Sequence, residues 1–416
     1  MPKPTLQTLD RRALRSYRNQ RRTRTTLAAV ITLVLVAAGT AWAVRDGLGG
    51  KRKDTPAPAA VTTVTPSAET SSATATATLA STSITSAAVA TTTPGTSRPA
   101  TLTVAGAGDM IFDRQVRTLI QASGGAAPLA RVASLLKRAD LAIANLESML
   151  SSNGTKNATK DVTLRGDPRG IESLKVAGLD AVSLANNHVL DYGPQPLLDT
   201  ITSLDSAGIG HAGAGADKAA AWTPATIDRN GASTAYLAFS HIVPAGFLAQ
   251  ESRAGFASGR QDMNLVEDAI REAKKTHDYV IVSFHWGVEY TDNPTAQQVK
   301  NAHRAIDAGA DMVLAHHPHV IQGVEFYKGG LIAYSLGDFV FDHYSRKTGE
   351  AFILGAEMGP DGVTGVTATP VYLDEYGRPE VVTGSAASTI LGRLKSISSP
   401  LGSTVTITDS IASIQP

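Results

Sequence analysis

The chain has 416 residues, enough for two average domains or one large one, and 43% of them are hydrophobic, as in an ordinary globular protein. Its net charge of +1 hides a division: residues 1–100 carry 13 Lys+Arg against 4 Asp+Glu, a balance of +9, whereas residues 101–416 carry 25 against 33, a balance of −8. A mildly acidic globular part argues against nucleic-acid binding. The absence of cysteine excludes a disulfide framework and a thiolate site.

Residues 25–44, "TTLAAVITLVLVAAGTAWAV", form an uncharged apolar segment long enough to cross about 30 Å of hydrocarbon as a helix. The tail before it, residues 1–24, is strongly basic, and positively charged flanks stay in the cytoplasm. We therefore expect a single-pass anchor in the cell membrane, with a cytoplasmic N-terminus and the main domain outside. Cleavage after Ala43 is the alternative, because Ala41-Trp42-Ala43 resembles a signal-peptidase site.

Residues 45–100 consist largely of Thr, Ser, Ala and Pro. Such a segment has too few large apolar side chains to form a core. We expect a disordered linker that holds the folded part away from the membrane.

From residue 101 onward, short apolar runs that end in polar residues alternate with amphipathic segments of helix length. This alternation predicts an α/β protein whose sheet strands are covered by helices. The expected strands are 102–109, 141–147, 181–188, 235–241, 279–286, 312–317 and 331–339, and the expected helices are 128–138, 168–177, 194–207, 263–276 and 295–308. Further strands are expected after residue 351. We assign residues 101–395 to one domain and residues 396–416 to a C-terminal tail.

The polar ends of the expected strands carry unusually similar residues. Open α/β sheets place their sites at the carboxyl ends of strands. Carboxylate, amide and imidazole groups together can bind a divalent metal, and this mixture favours Mn, Fe or Zn over Ca or Mg. The residues concerned are Asp109, Asn145, Glu147, Asn186, Asn187, His188, Asp191, His285, Glu289, His316, His317, His319 and Asp338.

Three histidines crowd into "VLAHHPHVIQG", residues 313–323. Residues at i and i+2 share a face of a strand, so His317 and His319 are expected to point the same way, and His316 to the opposite face. Each feature has an ordinary alternative when taken alone: His285 as a satisfied core histidine, or Asp109 as a helix N-cap. Their convergence on neighbouring strand ends favours a metal site.

Six blocks in this order resemble the CapA family of bacterial capsule and poly-γ-glutamate synthesis proteins: "GDMIFD", "ANLES", "SLANNHVLDYG", "FHWGVEY", "AHHPHVIQGVEFY" and "IAYSLGDFVF". They span about residues 102–341. The domain of that family is similar to the calcineurin-like metallophosphatase fold, an α/β/β/α sandwich. The resemblance therefore implies this sandwich, preceded here by the transmembrane helix and the linker.

The resemblance also implies a site for one or two divalent metal ions. Positions that match metallophosphatase ligands are Asp109, the Asn187-His188 pair, His285, His317 and His319. Two positions depart from the pattern, because Ile111 replaces a ligand histidine, and Asn145 replaces the bridging aspartate. Glu147 lies two places beyond Asn145, and both are assigned to the metal site. Asp338, where the family commonly has Asn, either adds a ligand or caps a helix.

Three functions follow as hypotheses. The first is a membrane-anchored, extracytoplasmic part in the biosynthesis or export of capsule or poly-γ-glutamate polymer. The second is a metal-dependent hydrolase acting on a phosphoester or on the amide bonds of the polymer, with His188 protonating the leaving group. The third is a non-catalytic polymer-binding protein.

The expected partners are the anionic polymer or its precursor and the membrane-embedded proteins of capsule or poly-γ-glutamate synthesis. Beyond the metal ligands, the residues assigned to catalysis are His188, Asp191 and Glu289, and those assigned to substrate binding are Arg165, Asn186 and Gln322. An acidic domain needs positive charge to hold an anionic polymer. A metal ion, or a local arginine such as Arg114 or Arg165, would supply it.

Overall fold

The computed structural model describes residues 99–416. The basic tail and anchor expected at residues 1–44, and all but the last two residues of the expected linker, lie outside the described residues. Within residues 99–416, no helix has the length and apolar character needed to cross a membrane.

The described residues form eighteen strands and eight α-helices. The strands are β1 (Leu102–Met110), β2 (Leu141–Leu146), β3 (Ala181–Ser183), β4 (Gly210–Ala212), β5 (Ala214–Gly215), β6 (Ala225–Arg229), β7 (Ala232–Ser240), β8 (Gly255–Phe256), β9 (Tyr279–His285), β10 (Met312–His316), β11 (Val324–Tyr327), β12 (Gly330–Ala333), β13 (Asp338–Val340), β14 (Glu350–Gly359), β15 (Gly362–Leu373), β16 (Pro379–Val381), β17 (Thr404–Thr408) and β18 (Ile411–Gln415). The helices are α1 (Arg114–Ser123), α2 (Ala133–Leu136), α3 (Gly170–Ala177), α4 (Pro194–Ala207), α5 (Lys218–Trp222), α6 (Met263–Thr276), α7 (Ala296–Asp307) and α8 (Gly384–Ser398), with 3-10 turns at Lys347–Gly349 and Ser399–Leu401.

The fold is built on two large sheets. One has ten strands in the order β17-β18-β15-β14-β1-β2-β3-β4, with β13 paired to β1 and β16 to β15. The other has six strands in the order β11-β12-β10-β9-β7-β6. Strands β1, β2, β3 and β4 are parallel, as are β7, β9, β10 and β12, so each group presents its carboxyl ends at one edge of its sheet.

The two sheets face each other. Alternate residues of β9 show which face of the six-stranded sheet contacts the helices and which contacts the other sheet. In β9, Val280 and Val282 pack with Ile270 of α6 and Ala302 of α7, whereas Ile281 packs in the core shared with the ten-stranded sheet. A period of two along the strand sends neighbouring side chains to opposite faces. The six-stranded sheet is therefore covered by helices on one face and by the other sheet on its second face.

Local signals explain why two helices begin and end where the sequence predicts, at residues 194–207 and 263–276. Helix α4 has Pro at its first turn and ends at Gly208, which adopts a left-handed φ of 69°. Helix α6 is capped by Asp262, whose side chain accepts the backbone N–H of Asn264. Helix α7 also agrees closely, since Thr295 forms its capping box with Gln298.

Other expectations were wrong. The helix expected at 128–138 shrinks to the four residues of α2, and the strand expected at 331–339 is split between β12 and β13. Helices α1 and α8 were not expected at all. The segment 396–416, expected to be a tail, contributes β17 and β18 to the ten-stranded sheet through the pairing of β18 with β15, so the fold does not end at residue 395.

Candidate metal centre

The carboxyl ends of β1, β2 and β10 meet at one buried place. Asp109 at the end of β1 is in register with Asn145 of β2 on one side and with Asp338 of β13 on the other. At the end of β10, His316 is in register with His285, the last residue of β9. Parallel pairing thus brings together residues that lie far apart in the sequence.

Asp109 is fully buried and is held by two donors. Its Oδ1 accepts from Nδ2 of Asn145 at 2.8 Å, and its Oδ2 accepts the backbone N–H of His317 at 3.0 Å. The backbone N–H of Asp109 itself donates to the carbonyl of Gly337 at 2.9 Å. These bonds fix the carboxylate between the two sheets.

Glu147 has the least satisfied carboxylate in the centre. Its side chain is completely buried, and within the described residues neither of its oxygens has a hydrogen-bond partner. Nε2 of His188 and Nε2 of His285 each lie 3.7 Å from its Oε1. Burial, followed by the nearby carboxylate of Asp109, raises the pKa of Glu147 well above its usual value.

His317 and His319 converge with Glu147, as the sequence predicts, but for a different reason. Strand β10 ends at His316, so the alternation of a strand does not orient the two later residues. Both instead adopt left-handed backbone angles, with φ of 95° at His317 and 56° at His319. Such angles are costly for residues other than glycine and concentrate at functional sites.

His319 joins two groups of potential ligands. One atom from each of Glu147, His317 and His319 lies within 4.8 Å of the others, and the same holds for Asp109, His319 and Asp338. Nδ1 of His319 lies 2.8 Å from Oδ1 of Asp338. Although burial opposes it, the carboxylates of Asp338 and Glu147 raise the pKa of His319 well above its usual value.

Asp338 is the first residue of strand β13, and the residues directly after it are strand, so its alternative role as a helix cap is excluded. It is buried, and burial raises its pKa to about 7. Together with Glu147, it restores carboxylates to a centre in which Ile111 and Asn145 replace two expected ligands. Ile111 itself is a fully buried core residue.

Asn187 and His285 supply another converging pair. Oδ1 of Asn187 lies 2.7 Å from Nε2 of His285, so the two atoms face the same small space beside Glu147. Burial lowers the pKa of His285 well below its usual value, and the neighbouring histidines, His317 first, lower it further. A neutral imidazole is the form that binds metals.

His188 stands at the rim of this space, oriented by Asp191. Its Nδ1 lies 2.5 Å from Oδ2 of Asp191, and its Nε2 faces Glu147. Asp191 is buried, accepts the backbone N–H of Leu164 at 2.7 Å and bonds to Nζ of Lys160. Burial lowers the pKa of His188 despite the bond to Asp191.

Two asparagines assigned to metal or substrate binding instead bond to other residues of the candidate site. The amide nitrogen of Asn145 is used on Asp109, and its oxygen accepts from Nδ2 of Asn186 at 3.3 Å. Asn186 also donates to the carbonyl of Leu146 at 2.9 Å and accepts the backbone N–H of His188 at 3.1 Å. Both side chains are completely buried, so they position Asp109 and His188.

Three further assigned residues lie at different places. Glu289 is exposed near the centre, and its charge contributes to the raised pKa of Glu147. Arg165 donates to the carbonyls of residues 152 and 153 and lies over the ring of Tyr192 at 4.5 Å, which holds a loop. Gln322 is completely buried with its amide bonded to the carbonyls of residues 291 and 293, so it braces a loop and is out of reach of a substrate.

The contribution of Lys160 and the position of His316 were not predicted from the sequence. Lys160 also donates to the carbonyl of Asn187 at 2.5 Å, but it lies in a polar loop without any periodic signal. His316 was expected to face away from the site, yet its Nδ1 lies 3.5 Å from Oδ1 of Asp109. Within the described residues, both of its ring nitrogens lack a hydrogen-bond partner.

The residues present fit a divalent metal ion. Buried polar atoms are normally hydrogen-bonded, so the orphaned oxygens of Glu147 and Nδ1 of His317 need an explanation. A cation between them would satisfy both and would offset the cost of burying carboxylates.

Comparison with known proteins gives the same assignment as the sequence blocks. The family described as "Bacterial capsule synthesis protein PGA_cap" matches residues 103–343. "Capsule biosynthesis protein CapA" of Bacillus anthracis is 32% identical over 289 residues, which cover 68% of this chain and 70% of the relative. "PGA biosynthesis protein CapA" of Bacillus subtilis (strain 168) is 30% identical over 280 residues, covering 66% and 72%.

A crystal structure of a hypothetical protein from Thermus thermophilus aligns with 67% of this chain and 95% of its own, at 19% identity and a TM-score of 0.38. A TM-score this low does not support a comparison of function. The family match spans more than half of the chain, and the matched residues include all the converging side chains described above. The chain belongs to the PGA_cap family of bacterial capsule synthesis proteins, the CapA family.

Proposed function

We propose that this protein acts outside the cell membrane in the production or export of capsule or poly-γ-glutamate polymer, and that its buried centre holds a divalent metal ion. The domain would be of the metallophosphatase type, with its two facing sheets as the inner layers of the sandwich. Residues 25–44 would anchor it, and membrane-embedded synthesis proteins would be its partners.

One observation carries the proposal: the carboxylate of Glu147 is completely buried without a hydrogen-bond partner among residues 99–416, while His285, His317 and His319 surround it. An unpaired buried carboxylate is costly, and bringing two further carboxylates close to it increases that cost. A divalent cation would remove the penalty at every one of these groups.

Glu147, His317 and His319, with His285 and Asn187 beside them, would hold one ion. Asp109, His319 and Asp338 mark a second position that shares a histidine with the first. When bound, the metal would supply Lewis-acid polarisation and positive charge for an anionic oxygen of the polymer or of its precursor. An acidic domain needs such a charge, since Arg114 is already paired with Asp342 at 3.1 Å.

A second candidate function, hydrolysis of a phosphoester or of the polymer's amide bonds, is favoured by the His188–Asp191 pair. Asp191 holds Nδ1 of the imidazole, which leaves Nε2 directed at the centre. A histidine fixed in this way can donate a proton to a leaving group. Lys160 neutralises Asp191 and thereby helps to orient the pair.

Metal analysis of the purified full chain tests the proposal. We expect bound Mn, Fe or Zn in the wild type and a loss of most of it in Glu147→Gln, which keeps the shape but removes the ligand charge. Glu272→Gln is the matched control, because Glu272 is exposed on α6 and, among residues 99–416, pairs only with Lys275. Equal metal content in wild type and Glu147→Gln would disprove the metal centre.

The choice between the two functions needs a separate assay. Wild type and His188→Asn, both loaded with metal, are incubated with poly-γ-glutamate and with a generic phosphoester. Turnover by the wild type that falls at least about 100-fold in His188→Asn supports hydrolysis. Retention of the polymer without turnover supports the role in production or export, and neither retention nor turnover would contradict both.

A further inference from the structure

A cavity of about 530 Å³ lies beside the metal centre, on the helix-covered side of the six-stranded sheet. It opens where β7 and β9 end and where α6 and α7 begin. His241 and Trp286, which directly follow the two strands, line it together with Met263 and Thr295 from the starts of the two helices. The volume falls in the range of about 300–1000 Å³ that small-molecule sites occupy.

His241 presents an unused donor in this cavity. Oδ1 of Asn301 accepts from Nε2 of Gln297 at 2.7 Å, so the Asn301 amide nitrogen faces Nδ1 of His241, at 3.4 Å. With Nδ1 facing this donor, we assign the proton of the ring to Nε2. Nε2 is buried and has no hydrogen-bond partner among residues 99–416. Edge contacts with Phe284 and Trp286, at 5.3 and 5.8 Å, hold the ring in place.

Arg260 supplies a free positive charge at the same cavity. Its side chain is exposed, and across the described part of the chain its guanidinium makes no hydrogen bond or ion pair. Arg304, the second arginine of the lining, is different because it is bound to Glu267 and to Asn264 at 2.7 Å. Arg260 is therefore the guanidinium available to a ligand.

The remaining walls restrict what the ligand can be. Trp286 and Met263 make part of the lining apolar, which favours an aliphatic stem. Helices α6 and α7 begin at the cavity with N–H groups already capped by Asp262 and Thr295, so the positive charge that favours an anion comes from Arg260. A guanidinium and one imidazole N–H can together bind the two oxygens of a carboxylate.

We propose that this cavity binds a carboxylate carried on a short aliphatic stem, with Arg260 and Nε2 of His241 as its donors. The site is separate from the metal centre, although Trp286 directly follows His285 in the chain. It does not depend on the proposed function, since no metal takes part in it.

Calorimetric titration of the full chain with glutarate tests the site, with glutaramide as the uncharged analogue of the same shape. We expect glutarate to bind and glutaramide to bind at least about tenfold more weakly, because a bond between charged groups is lost. Arg260→Gln is expected to weaken glutarate binding by about the same factor. His241→Phe, which keeps the ring packing and removes the donor, is expected to weaken it by several-fold.

Two control variants locate the binding. Arg138→Gln removes an exposed arginine elsewhere and should leave glutarate binding unchanged. Glu147→Gln alters the metal centre and should also leave it unchanged. The inference is overturned if glutarate does not bind, if Arg260→Gln binds it as tightly as the wild type, if Glu147→Gln abolishes binding, or if inorganic phosphate displaces glutarate at lower concentration than glutarate itself requires. Failure of glutarate binding with metal retained would leave the proposed function intact.

Discussion

Gly108 offers the sharpest test of how the proposed metal centre is built. It precedes Asp109 in β1, at the place where the chain passes the turn before β13. A Cβ added at Gly108 would lie 1.9 Å from the carbonyl oxygen of Gly337, whereas Cβ atoms in real structures essentially never approach closer than 3.0 Å. The obstacle is backbone, which cannot rotate away as a side chain can.

Gly108→Ala must therefore separate β1 from the Gly337 turn by about 1 Å, the difference between those two distances. That movement strains the hydrogen bond from Asp109 N–H to Gly337 and displaces Asp109 relative to Asp338. Overpacking of this kind costs about 1–3 kcal/mol in the free energy of unfolding. Metal ligands tolerate errors of only about 0.2 Å, so metal affinity should fall as well.

The assay is urea unfolding of the full chain, together with metal analysis. Gly392→Ala is the matched control, because Gly392 lies inside α8 with no atom within 4 Å of the added Cβ. It should stabilise the protein by about 0.5–1 kcal/mol, as alanine does in a helix interior. If Gly108→Ala is as stable as the wild type and keeps its metal, the close approach of β1 to the turn does not organise the centre.

Three further predictions concern charge. Although burial opposes it, Lys347 and Arg393 lower the pKa of Asp292. The stabilising contribution of Asp292 is therefore complete above its unfolded pKa and is lost as the pH falls through its folded pKa. We expect the acid unfolding of Asp292→Asn to be less steep than that of the wild type. A chelator should lower the thermal midpoint of the wild type but not of Glu147→Gln, because a ligand present at about 100 times its Kd adds about 2.7 kcal/mol to the native state alone. Lys160→Met leaves the buried Asp191 without its cation and should cost about 3 kcal/mol in urea unfolding, and an unchanged midpoint would contradict this role.

Much of the fold could be predicted because its signals are local. The helices at Pro194–Ala207 and Met263–Thr276 have an amphipathic pattern together with a proline or an aspartate at the start, and both signals act within a few residues. Helix α8 was missed because it begins with glycine in a strand-rich region. Strands β17 and β18 were missed because they are stabilised by pairing with each other and, through β18, with β15, which no local pattern reveals.

The candidate site also has features that local sequence signals predict and features that only the fold determines. His317 and His319 could be identified as neighbours with shared chemistry, but their orientation depends on left-handed backbone angles that the strand pattern does not predict. Gln322 and Asn186 were assigned to substrate binding, yet both are buried and their amides bond to other parts of the protein. Polarity in a sequence does not distinguish a group that faces a ligand from one that supports a loop.

The sequence by itself determined the alternation of strands and helices, the family, and the kinds of side chain that gather at the strand ends. These depend on residue type and spacing, which are properties of the chain. Only the tertiary structure decided which groups meet: that Glu147 is buried without a partner among the described residues, that Asp338 joins His319, and that Asn145 supports Asp109. The physical reason is that hydrogen-bond satisfaction and burial depend on residues distant in sequence, and these become neighbours only when the two sheets pack face to face.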